Sequence, residues 1–393
     1  MMLPNGWKKV KLGDILTAVD YGTAAKSDVT GKYPVLRMGN LENGYLLWDD
    51  LVYTSSEEEY AKYELKKGDI LFNRTNSRDK VGKTSIYRGE RPSIFAGYLI
   101  RLKVNNECDP YYVNYCMNSK RFAEFCKSVR TDAVGQSNIN AQVLQTYEFS
   151  LPPIEKQKKI VATLSVWDSA IEKMEKLIKA KENSFNNLLK ELIYSPAEKE
   201  CWNIVKLGDV SEMSSGGTPK SSVEKYYNGD VLWVSIADMT EQGMYIKDTA
   251  KKLTKLGVEN SAAKIYPKGT VLYAMYASIG EVSIAEKEMA SSQAILGIQV
   301  SNKLVNKYLY YFLVGQKERI KLQGQAGTQS NLNAGMVKNL DIPLPSIKEQ
   351  NRIIAVLDNG MNELSLLKQQ LENYKRQKQG LMQKLLTGQW RVK

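Results

Sequence analysis

The chain contains no histidine, and this one absence removes several classes of enzyme. Without His among its 393 residues, it can build neither a Ser-His or Cys-His catalytic pair nor a His-based metal site or general base. Its cysteines form no CxxC pair, so reduced, buried thiols are expected in place of zinc ligands; they are Cys108, Cys116, Cys126 and Cys201. We therefore predict no metal site and no catalytic residue in this chain.

Long apolar segments are absent as well. No stretch has the length and apolarity of a transmembrane helix, and the N-terminal MMLPNGWKKVKLGD lacks the apolar segment of a signal peptide. A cytoplasmic protein without a membrane partner is therefore expected. The length of 393 residues predicts two or three domains with substantial hydrophobic cores.

Two partial enzyme motifs fail at the position that matters most. Val81-Gly-Lys-Thr84 looks like the end of a phosphate-binding loop, but the first glycine of GxxxxGK would fall at Ser77. Cys108-Asp-Pro-Tyr111 has one proline too few for the Asp-Pro-Pro-Tyr motif of amino-methyltransferases, and no glycine-rich cofactor loop precedes it. Asp109 before Pro110 instead predicts a helix N-terminus. These patterns favour a non-catalytic chain.

The excess of positive charge is the first indication of a binding function. The sequence holds 55 Lys and Arg against 43 Asp and Glu, which gives a formal net charge of +12 and a pI near 9.2. Such a surface attracts polyanions, nucleic acid first, because binding releases counterions condensed on the phosphate backbone. Two other interpretations stay open at this point: an enzyme with a cryptic site, and a non-catalytic coiled-coil scaffold whose charge serves solubility.

One long helical pattern occurs twice. Residues 151–194 and 344–386 align without a gap, so that Leu151, Pro152, Ile154, Gln157, Ile160 and Leu164 match Leu344, Pro345, Ile347, Gln350, Ile353 and Leu357. After the proline, each copy repeats apolar residues at steps of four and three, the heptad pattern of a coiled coil. Because each apolar stripe is long and narrow, the copies are expected to pack against each other as an intramolecular coiled coil. Two unrelated core helices are the alternative.

The apolar stripe of each copy defines a predicted coiled-coil seam. Lysine interrupts the stripe at Lys181 in the first copy and at Lys378 in the second. The predicted seam consists of Ile160, Leu164, Trp167, Ile171, Met174, Ile178, Phe185, Leu188 and Leu192 in the first copy and of Ile353, Leu357, Leu364, Leu367, Leu371, Tyr374, Leu381 and Leu385 in the second.

A strand-rich region precedes each helical copy. Short β-branched and aromatic runs alternate there with Gly, Asn and Asp turns, and one helix is expected from Asp109 to about Arg130. The predicted fold class is α+β, with a first domain (1–150), a central helix (151–196), a second domain (197–343) and a C-terminal helix (344–393).

Ordered sequence anchors indicate that one domain-plus-helix unit has been duplicated. Trp7–Asp14 returns as Trp202–Asp209, KGDILF at Lys67 as KGTVLY at Lys268, VGKTSI at Val81 as IGEVSI at Ile279, and Gln136–Asn140 as Gln329–Asn333. Between these anchors the two domains diverge strongly, so the copies are expected to share a scaffold and to differ in what they bind.

The best candidates for nucleic-acid contact follow one strand in each domain. Asn73–Arg78 carries amide, hydroxyl and guanidinium groups, which contact phosphates and read base edges. The equivalent Ala274–Ser278 is less basic and more aromatic, as two readers of different sequences should be; a solvated turn is the alternative for the first segment. The predicted contacts are Lys26, Arg37, Asn73, Arg74, Thr75, Asn76, Arg78, Lys80 and Lys83, with Thr218, Lys220, Tyr273, Met275, Tyr276 and Ser278 in the second domain.

Two further segments have weaker claims. Exposed amide N–H groups in the glycine-rich Ser214–Lys220 would suit a phosphate oxygen, with an ordinary turn as the alternative. The Gln-Ser-Asn elements at Gln136 and Gln329 are expected to be structural, because residues identical in both copies are poorly placed to specify different bases.

Taken in order and twice over, these motifs resemble those of the specificity subunit of type I restriction–modification systems. The resemblance covers essentially the whole chain and rests on WxxVKLGD at Trp7 and Trp202, SGGTPK at Ser215, IGEVSIA at Ile279, QSNLNA at Gln329, LPPIEKQKKI at Leu151 and LLTG at Leu385. The first domain departs from the pattern, since it has Tyr21-Gly-Thr23 in place of the glycine-threonine-proline turn.

The resemblance implies that the domains and the helices have different roles within a larger complex. Each strand-rich domain would be a target recognition domain that reads one half of a split duplex DNA target. The two helices would pair antiparallel, with a pseudo-two-fold relation between the repeats, as a spacer about 39 residues and roughly 58 Å long. A DNA-binding protein outside restriction–modification is the alternative.

The resemblance also implies partners for the helices. They would dock two modification (methyltransferase) subunits, which methylate adenine, and restriction subunits would add ATP-driven translocation and cleavage. S-adenosylmethionine, ATP and Mg²⁺ would sit on those partners and none on this chain. Lys181 and Lys378 would then belong to the docking surface, unless they only extend their ammonium groups to solvent.

Overall fold

The computed structural model describes residues 4–133, 135–198, 202–276, 278–325 and 332–392. The chain divides into two compact units. The first unit contains residues 1–175 and 370–393, and the second contains residues 176–369. Each unit therefore combines one strand-rich domain with part of each of the two long helices. Among the described residues, no helix combines the length and apolarity needed to span a bilayer.

The first unit is built from short strands and four short helices. Its strands are β1 Lys8–Lys11, β2 Leu16–Tyr21, β3 Tyr33–Leu36, β4 Leu41–Glu42, β5 Tyr45–Leu46, β6 Val52–Thr54, β7 Ile70–Asn73, β8 Thr75–Asn76, β9 Thr84–Ile86, β10 Ile94–Phe95, β11 Leu99–Val104, β12 Thr131–Ala133, β13 Gln136–Asn138 and β14 Glu148–Leu151. Its short helices are α1 Glu57–Tyr63, α2 Pro110–Met117, α3 Lys120–Val129 and α4 Ala141–Gln145. The largest sheet has the order β2-β11-β7-β9, and β10-β3-β6 and β12-β13-β8 form smaller sheets.

Two long helices follow the strand-rich domains in the sequence. The first, α5, runs from Ile154 to Leu189 and continues through a π-helical segment, Lys190–Tyr194, into α6, Ser195–Glu198. The last helix of the chain, designated α11, runs from Ile347 to Leu386.

The second unit repeats this architecture with different proportions. Its strands are β15 Asn203–Lys206, β16 Ser211–Ser215, β17 Tyr227–Val234, β18 Tyr245–Ile246, β19 Lys251–Leu253, β20 Ile265–Tyr266, β21 Val271–Ala274, β22 Val282–Ala285, β23 Met289–Ser291, β24 Ile295–Val300 and β25 Asp341–Leu344. Its other helices are α7 Ile236–Gln242, α8 Lys255–Glu259, α9 Asn306–Gln325 and α10 Ala334–Lys338. The two main sheets have the orders β16-β24-β21-β22-β18 and β19-β17-β23-β20.

The repeated Trp-containing and Leu-Pro motifs are the two partners of one strand pair. In the first unit β1 lies antiparallel to β14, with Lys8 opposite Leu151. In the second, β15 lies antiparallel to β25, with Asn203 opposite Leu344. The pair joins the beginning of each domain to its end, immediately before the long helix, which explains why both motifs recur. It also shows that the predicted helix start at Leu151 is too early, because Leu151 is the last residue of a strand.

A buried glutamine fastens the start of each long helix to its domain. The Gln157 side chain accepts a hydrogen bond from the Asp109 backbone N–H (2.8 Å) and donates to the carbonyls of Glu107 (3.0 Å) and Pro152 (2.8 Å). In the second unit, Gln350 makes the same three contacts with Val305 (2.8 Å), Lys303 (2.9 Å) and Pro345 (2.9 Å). Both glutamines are completely buried. An uncharged side chain that donates and accepts can satisfy these backbone groups without burying a charge.

Within each unit the two long helices pack antiparallel. In the first unit, Glu175 contacts Lys375 (2.9 Å), Asp168 contacts Lys378, and the Trp167 ring meets Tyr374 edge to face. Between the two ion pairs, the partner number falls from 378 to 375 as α5 advances from Asp168 to Glu175, so the helices run in opposite directions.

The second unit shows the same direction of packing. Lys181 contacts Glu363 (2.6 Å), and Phe185, four residues later on α5, lies beside Gly360, so the partner number falls again. Glu182 contacts Lys368 (2.6 Å) across the same two helices. A Cβ at Gly360 would lie 2.9 Å from the Phe185 ring, so this glycine makes room for a large seam residue. Every predicted seam residue is buried or half-buried, and the predicted coiled coil is confirmed.

The helix predicted over residues 109–130 is in fact two helices. Asp109 caps α2, with Pro110 in the first turn as expected, but α2 ends at Met117. The Ser119 hydroxyl then accepts the Phe122 N–H (3.2 Å) and starts α3. A serine that can cap a new helix competes with continuation of the old one, and here the cap prevails.

Candidate nucleic-acid interface

The first predicted reading segment leaves the main sheet at the end of β7. Asn73 is the last residue of that strand and is completely buried, whereas Ser77 to Lys80 are exposed. Between them, Thr75 and Asn76 form β8, which pairs with β13. The motif therefore begins inside β7 and contains a second short strand, β8, which was not expected. The Asn73 side chain does not reach the surface, so a direct contact between Asn73 and DNA is not supported.

Three arginines flank the small sheet formed by β12, β13 and β8. The Arg74 guanidinium lies over the Tyr21 ring, 4.9 Å from its centroid. Arg78 sits in the turn after β8, with 70% of its side chain exposed, and it contacts Asp132 on β12. Arg130 reaches the same carboxylate at 3.2 Å and donates to the Arg78 carbonyl (3.0 Å).

The remaining basic candidates of the first domain fall into two groups. Lys26 and Lys80 are exposed. Arg37 and Lys83 are half-buried and paired with acids, Arg37 with Asp50 (3.2 Å) and Lys83 with Glu42. Because these ion pairs are partly exposed, their attraction is weak, so both cations stay available for contact with DNA.

The corresponding segment of the second domain is shorter and carries no cation. Tyr273 is completely buried and Met275 is 3% exposed, so a direct contact with DNA is not supported for either of them. Tyr276 and Ser278 are exposed. This domain therefore presents an aromatic ring and a hydroxyl where the first domain presents an arginine.

The two glycine amides of the Ser214–Lys220 segment are not free to bind a phosphate, contrary to expectation. The Gly216 N–H donates to the Ile295 carbonyl (3.0 Å), and the Gly217 N–H donates to the Ser291 carbonyl (3.0 Å). A Cβ at Gly216 would lie 2.3 Å from the Ser291 carbonyl oxygen, so glycine is needed here for close backbone approach. Thr218 and Lys220 remain exposed candidates beside these glycines.

The first Gln-Ser-Asn element forms β13, which pairs with β8 and β12, and the asparagine two positions after each element caps a helix. The Asn140 side chain caps α4 by accepting the Val143 N–H (2.8 Å), and Asn333 caps α10 by accepting the Met336 N–H (2.9 Å). Gln329 and the two residues after it lie outside the described residues. The duplicated asparagines thus serve the scaffold.

The described cysteines behave as core residues. Cys108, Cys116 and Cys126 are free and buried, and burial raises the pKa of Cys108 to about 11 and that of Cys126 to about 12. Burial also raises the pKa of Cys116. Thiols of this kind are poor nucleophiles at neutral pH. In the described part of the chain, no cluster of three or more Cys, Asp or Glu is arranged to hold a metal ion.

The family of type I restriction modification DNA specificity domains matches this chain twice. The matches cover residues 4–182 and 199–375, so each begins where one copy of the sequence repeat begins. Each match contains one strand-rich domain and most of the long helix that follows it.

Curated type I specificity subunits are similar to this chain, some over its full length and some over part of it. A putative type I restriction enzyme MjaX specificity subunit from Methanocaldococcus jannaschii is 28% identical and covers 100% of this chain and 95% of its own length. The MjaVIII specificity subunit of the same organism is 24% identical with the same coverage. The EcoKI specificity subunit of Escherichia coli is 24% identical over 48% of this chain and 41% of its own length.

Solved structures share the fold. One chain, from a study of complex assembly and conformational transition in the type I R-M system, aligns with a TM-score of 0.62 at 17% identity, covering 99% of this chain and 100% of its own. The type I S subunit from M. genitalium aligns with a TM-score of 0.54 at 16% identity, covering 98% of both chains. At these identities the likeness supports the fold alone.

Proposed function

This chain belongs to the family of type I restriction modification DNA specificity domains, and we propose that it is the DNA specificity subunit of a type I restriction–modification complex. The first domain reads one half of a bipartite duplex target and the second domain reads the other half. One observation carries the proposal: two family matches lie on a duplicated scaffold whose exposed segments after β7 and β21 differ in chemistry.

The proposed DNA contacts are the predicted residues whose side chains reach the surface. In the first domain they are Lys26, Arg37, Arg74, Thr75, Asn76, Arg78, Lys80 and Lys83, and in the second they are Thr218, Lys220, Tyr276 and Ser278. Lysines far from a carboxylate suit phosphates, and amide and guanidinium groups suit base edges. Asn73, Tyr273 and Met275 are left out because they are buried.

The long helices set the spacing of the two half-sites and dock two modification subunits. A helix such as α5, with 36 residues, is about 54 Å long at 1.5 Å per residue. Val166 and Leu366 remain 68% and 66% exposed on the helices, and exposed apolar side chains of this kind suit a protein partner. Lys181 and Lys378 engage Glu363 and Asp168, which favours a role inside the coil over one in docking.

Chemistry in the proposed complex belongs to the partners. Modification subunits supply S-adenosylmethionine-dependent methylation of adenine N6. Restriction subunits supply ATP- and Mg²⁺-dependent translocation and cleavage. This chain contributes no catalytic residue and acts in the cytoplasm, where it selects the site.

The proposal is tested by mapping methylated adenine across the genome with and without this gene. One bipartite motif should lose its methylation when the gene is deleted and regain it on complementation. An unchanged methylation map would contradict the proposed function and favour a scaffold.

The spacing role is tested separately by inserting one heptad into both long helices. The insertion extends each helix by about 10 Å, so the unread spacer of the methylated motif should lengthen while both half-sites keep their sequences. An unaltered spacer would contradict the spacing role alone.

A further inference from the structure

The inference concerns the Arg78 side chain, and it rests on the proposed function. Of the three arginines that flank the β12-β13-β8 sheet, Arg78 is exposed and Arg74 and Arg130 are half-buried, yet the Arg78 guanidinium contacts a carboxylate. Its Nε donates to Asp132 Oδ2 at 2.9 Å, and its Nη2 lies 2.9 Å from the same oxygen. Both contacts are made to one carboxylate oxygen, so they hold the Nε–Nη2 edge of the guanidinium group beside Asp132.

Asp132 is itself held by two further contacts. Its other oxygen, Oδ1, accepts the Ser137 hydroxyl at 2.5 Å and lies 3.2 Å from Arg130 Nε. Arg130 also donates to the Arg78 carbonyl at 3.0 Å, which ties the side-chain network to the turn that carries Arg78. The Ser137 hydrogen bond, followed by the charges of Arg78 and Arg130, lowers the pKa of Asp132, so the carboxylate stays ionised at neutral pH.

The contacts use one edge of the Arg78 guanidinium and leave another available. Asp132 engages the side edge, formed by Nε and Nη2. The end edge, formed by Nη1 and the second N–H of Nη2, makes no contact with Asp132. An arginine presents this end edge to the O6 and N7 acceptors of guanine in the major groove, as a pair of parallel hydrogen bonds.

We propose that Arg78 is a base-reading residue of the first domain that recognises a guanine, and that Asp132 is the positioning residue that orients it. A carboxylate at the surface of a DNA-binding protein repels phosphates. Its presence beside Arg78 therefore favours base reading over phosphate contact, because a phosphate-binding arginine is weakened by an adjacent acid. Pre-orientation also reduces the conformational entropy that Arg78 loses on binding.

The second domain provides the contrast. Its corresponding turn, after β21, presents Tyr276 and Ser278 and no arginine. The arginine-based guanine contact is therefore assigned to the half-site of the first domain alone.

The proposal is tested with the complete modification complex on duplexes that carry its mapped motif. Arg78→Ala should reduce discrimination against replacement of one guanine in the first half-site by about tenfold to hundredfold, and leave discrimination in the second half-site unchanged. Retained discrimination at the other base pairs of the first half-site reports that the first domain of the variant is folded. Arg78→Lys should not restore discrimination, because lysine lacks the paired donors. Lys80→Ala, in the same turn, is the matched control and should weaken binding to all DNA sequences equally.

A second test alters the DNA and compares the unaltered complex with the variants. Replacing that guanine by 7-deazaguanine deletes the N7 acceptor, so it should weaken binding by the unaltered complex and have little effect on the Arg78→Ala complex. Asp132→Asn should retain part of the discrimination, since Arg78 remains but is no longer held.

Two results would overturn the inference while leaving the proposed function intact. One is a first half-site without guanine. The other is a uniform loss of affinity in Arg78→Ala, with a salt-dependence slope about one unit smaller, which is the behaviour of a phosphate contact. Failure of the proposed function would look different, because deleting the gene would then leave the methylation map unchanged.

Discussion

The two units fill the same position of their coil in different ways. In the second unit the aligned seam residues are Phe185 and Gly360, and the glycine makes room for the ring. In the first unit the residues aligned with them are Lys378 and Trp167; Lys378 pairs with Asp168, and Asp168 also accepts the Tyr115 hydroxyl. The scaffold thus tolerates an aromatic–glycine pair or an ion pair at one point, provided that the position is filled.

A similar contrast holds in the domains. The strand pair before each long helix, the buried glutamine and the close-approach glycine recur in both units, whereas the exposed segments after β7 and β21 differ. The recurring features all satisfy buried backbone groups or allow backbone approach. The differing residues face solvent, where a DNA-binding protein can change its specificity without loss of stability.

The largest expected effect comes from the buried glutamines. Gln157→Ala and Gln350→Ala each leave buried backbone groups without partners, so each should lower the free energy of unfolding of its own unit by about 3–4 kcal/mol, at roughly 1–3 kcal/mol per unsatisfied group. Unit-resolved hydrogen exchange distinguishes the two variants. The exposed Gln377→Ala is the control and should have little effect. A loss of stability in only one of the two variants would contradict the equivalence of Gln157 and Gln350.

The next largest loss of stability is expected at Gly22 and Gly216, the glycines that lie against the backbone of a neighbouring segment. A Cβ at Gly22 would lie 2.1 Å from the Phe95 carbonyl oxygen, much as one at Gly216 would meet Ser291. Both Gly→Ala variants should therefore lose about 2–3 kcal/mol, because the obstructing atoms are backbone. Gly39→Ala, with nothing within 4 Å of its Cβ, should stay close to the parent chain in urea unfolding. A stable Gly216→Ala variant would contradict the proposed reason for this glycine.

Replacement of the two seam lysines, Lys378 and Lys181, should change the stability of the chain by clearly different amounts. The side chains of Lys378 and Asp168 are 19% and 9% exposed, whereas those of Lys181 and Glu363 are 40% and 50% exposed. Lys378→Met removes the cation from a buried carboxylate and should destabilise the chain by about 2 kcal/mol, the Tyr115 hydrogen bond offsetting part of the loss. Lys181→Met should change stability by less than about 1 kcal/mol. Equal effects in thermal unfolding would contradict this distinction.

The smallest expected effect is a gain in stability. Gly380 lies inside α11 and is exposed, and a Cβ added to it would meet no atom within 4 Å. Gly380→Ala should stabilise the chain by about 1 kcal/mol, and Asn187→Ala at the aligned position of α5 by about half as much. Thermal unfolding of the two variants measures the difference, and a destabilised Gly380→Ala variant would indicate a contact at that face.

The scaffold was largely predictable because its signals are local. The heptad steps identify the seam, and the repeated Lys-Gly turns mark Gly68 and Gly269, which both adopt positive φ angles (97° and 90°). The reading surface was less predictable because its geometry depends on tertiary pairing. Asp132 is 54 residues from Arg78, and no local pattern links them. The burial of Asn73 likewise depends on the strand register of β7, which a short polar motif does not reveal.

The role of the glycine-rich segment Ser214–Lys220 also depends on tertiary pairing that the sequence does not reveal. Its composition suits a phosphate-binding loop, but the Gly216 and Gly217 amides are used by the neighbouring strands. Only the pairing of those strands decides between the two roles, and that pairing involves residues more than seventy positions away along the chain.

The most direct test of the central claim is a domain exchange read by mapping of methylated adenine. Residues 1–150 are replaced by the corresponding domain of another member of the family, and the complex is expressed with its own modification subunits. We expect one half of the bipartite motif to change, while the other half and the spacer stay the same. A motif that is unchanged, or one in which both halves change, would contradict the claim that two independent readers are carried on one duplicated scaffold.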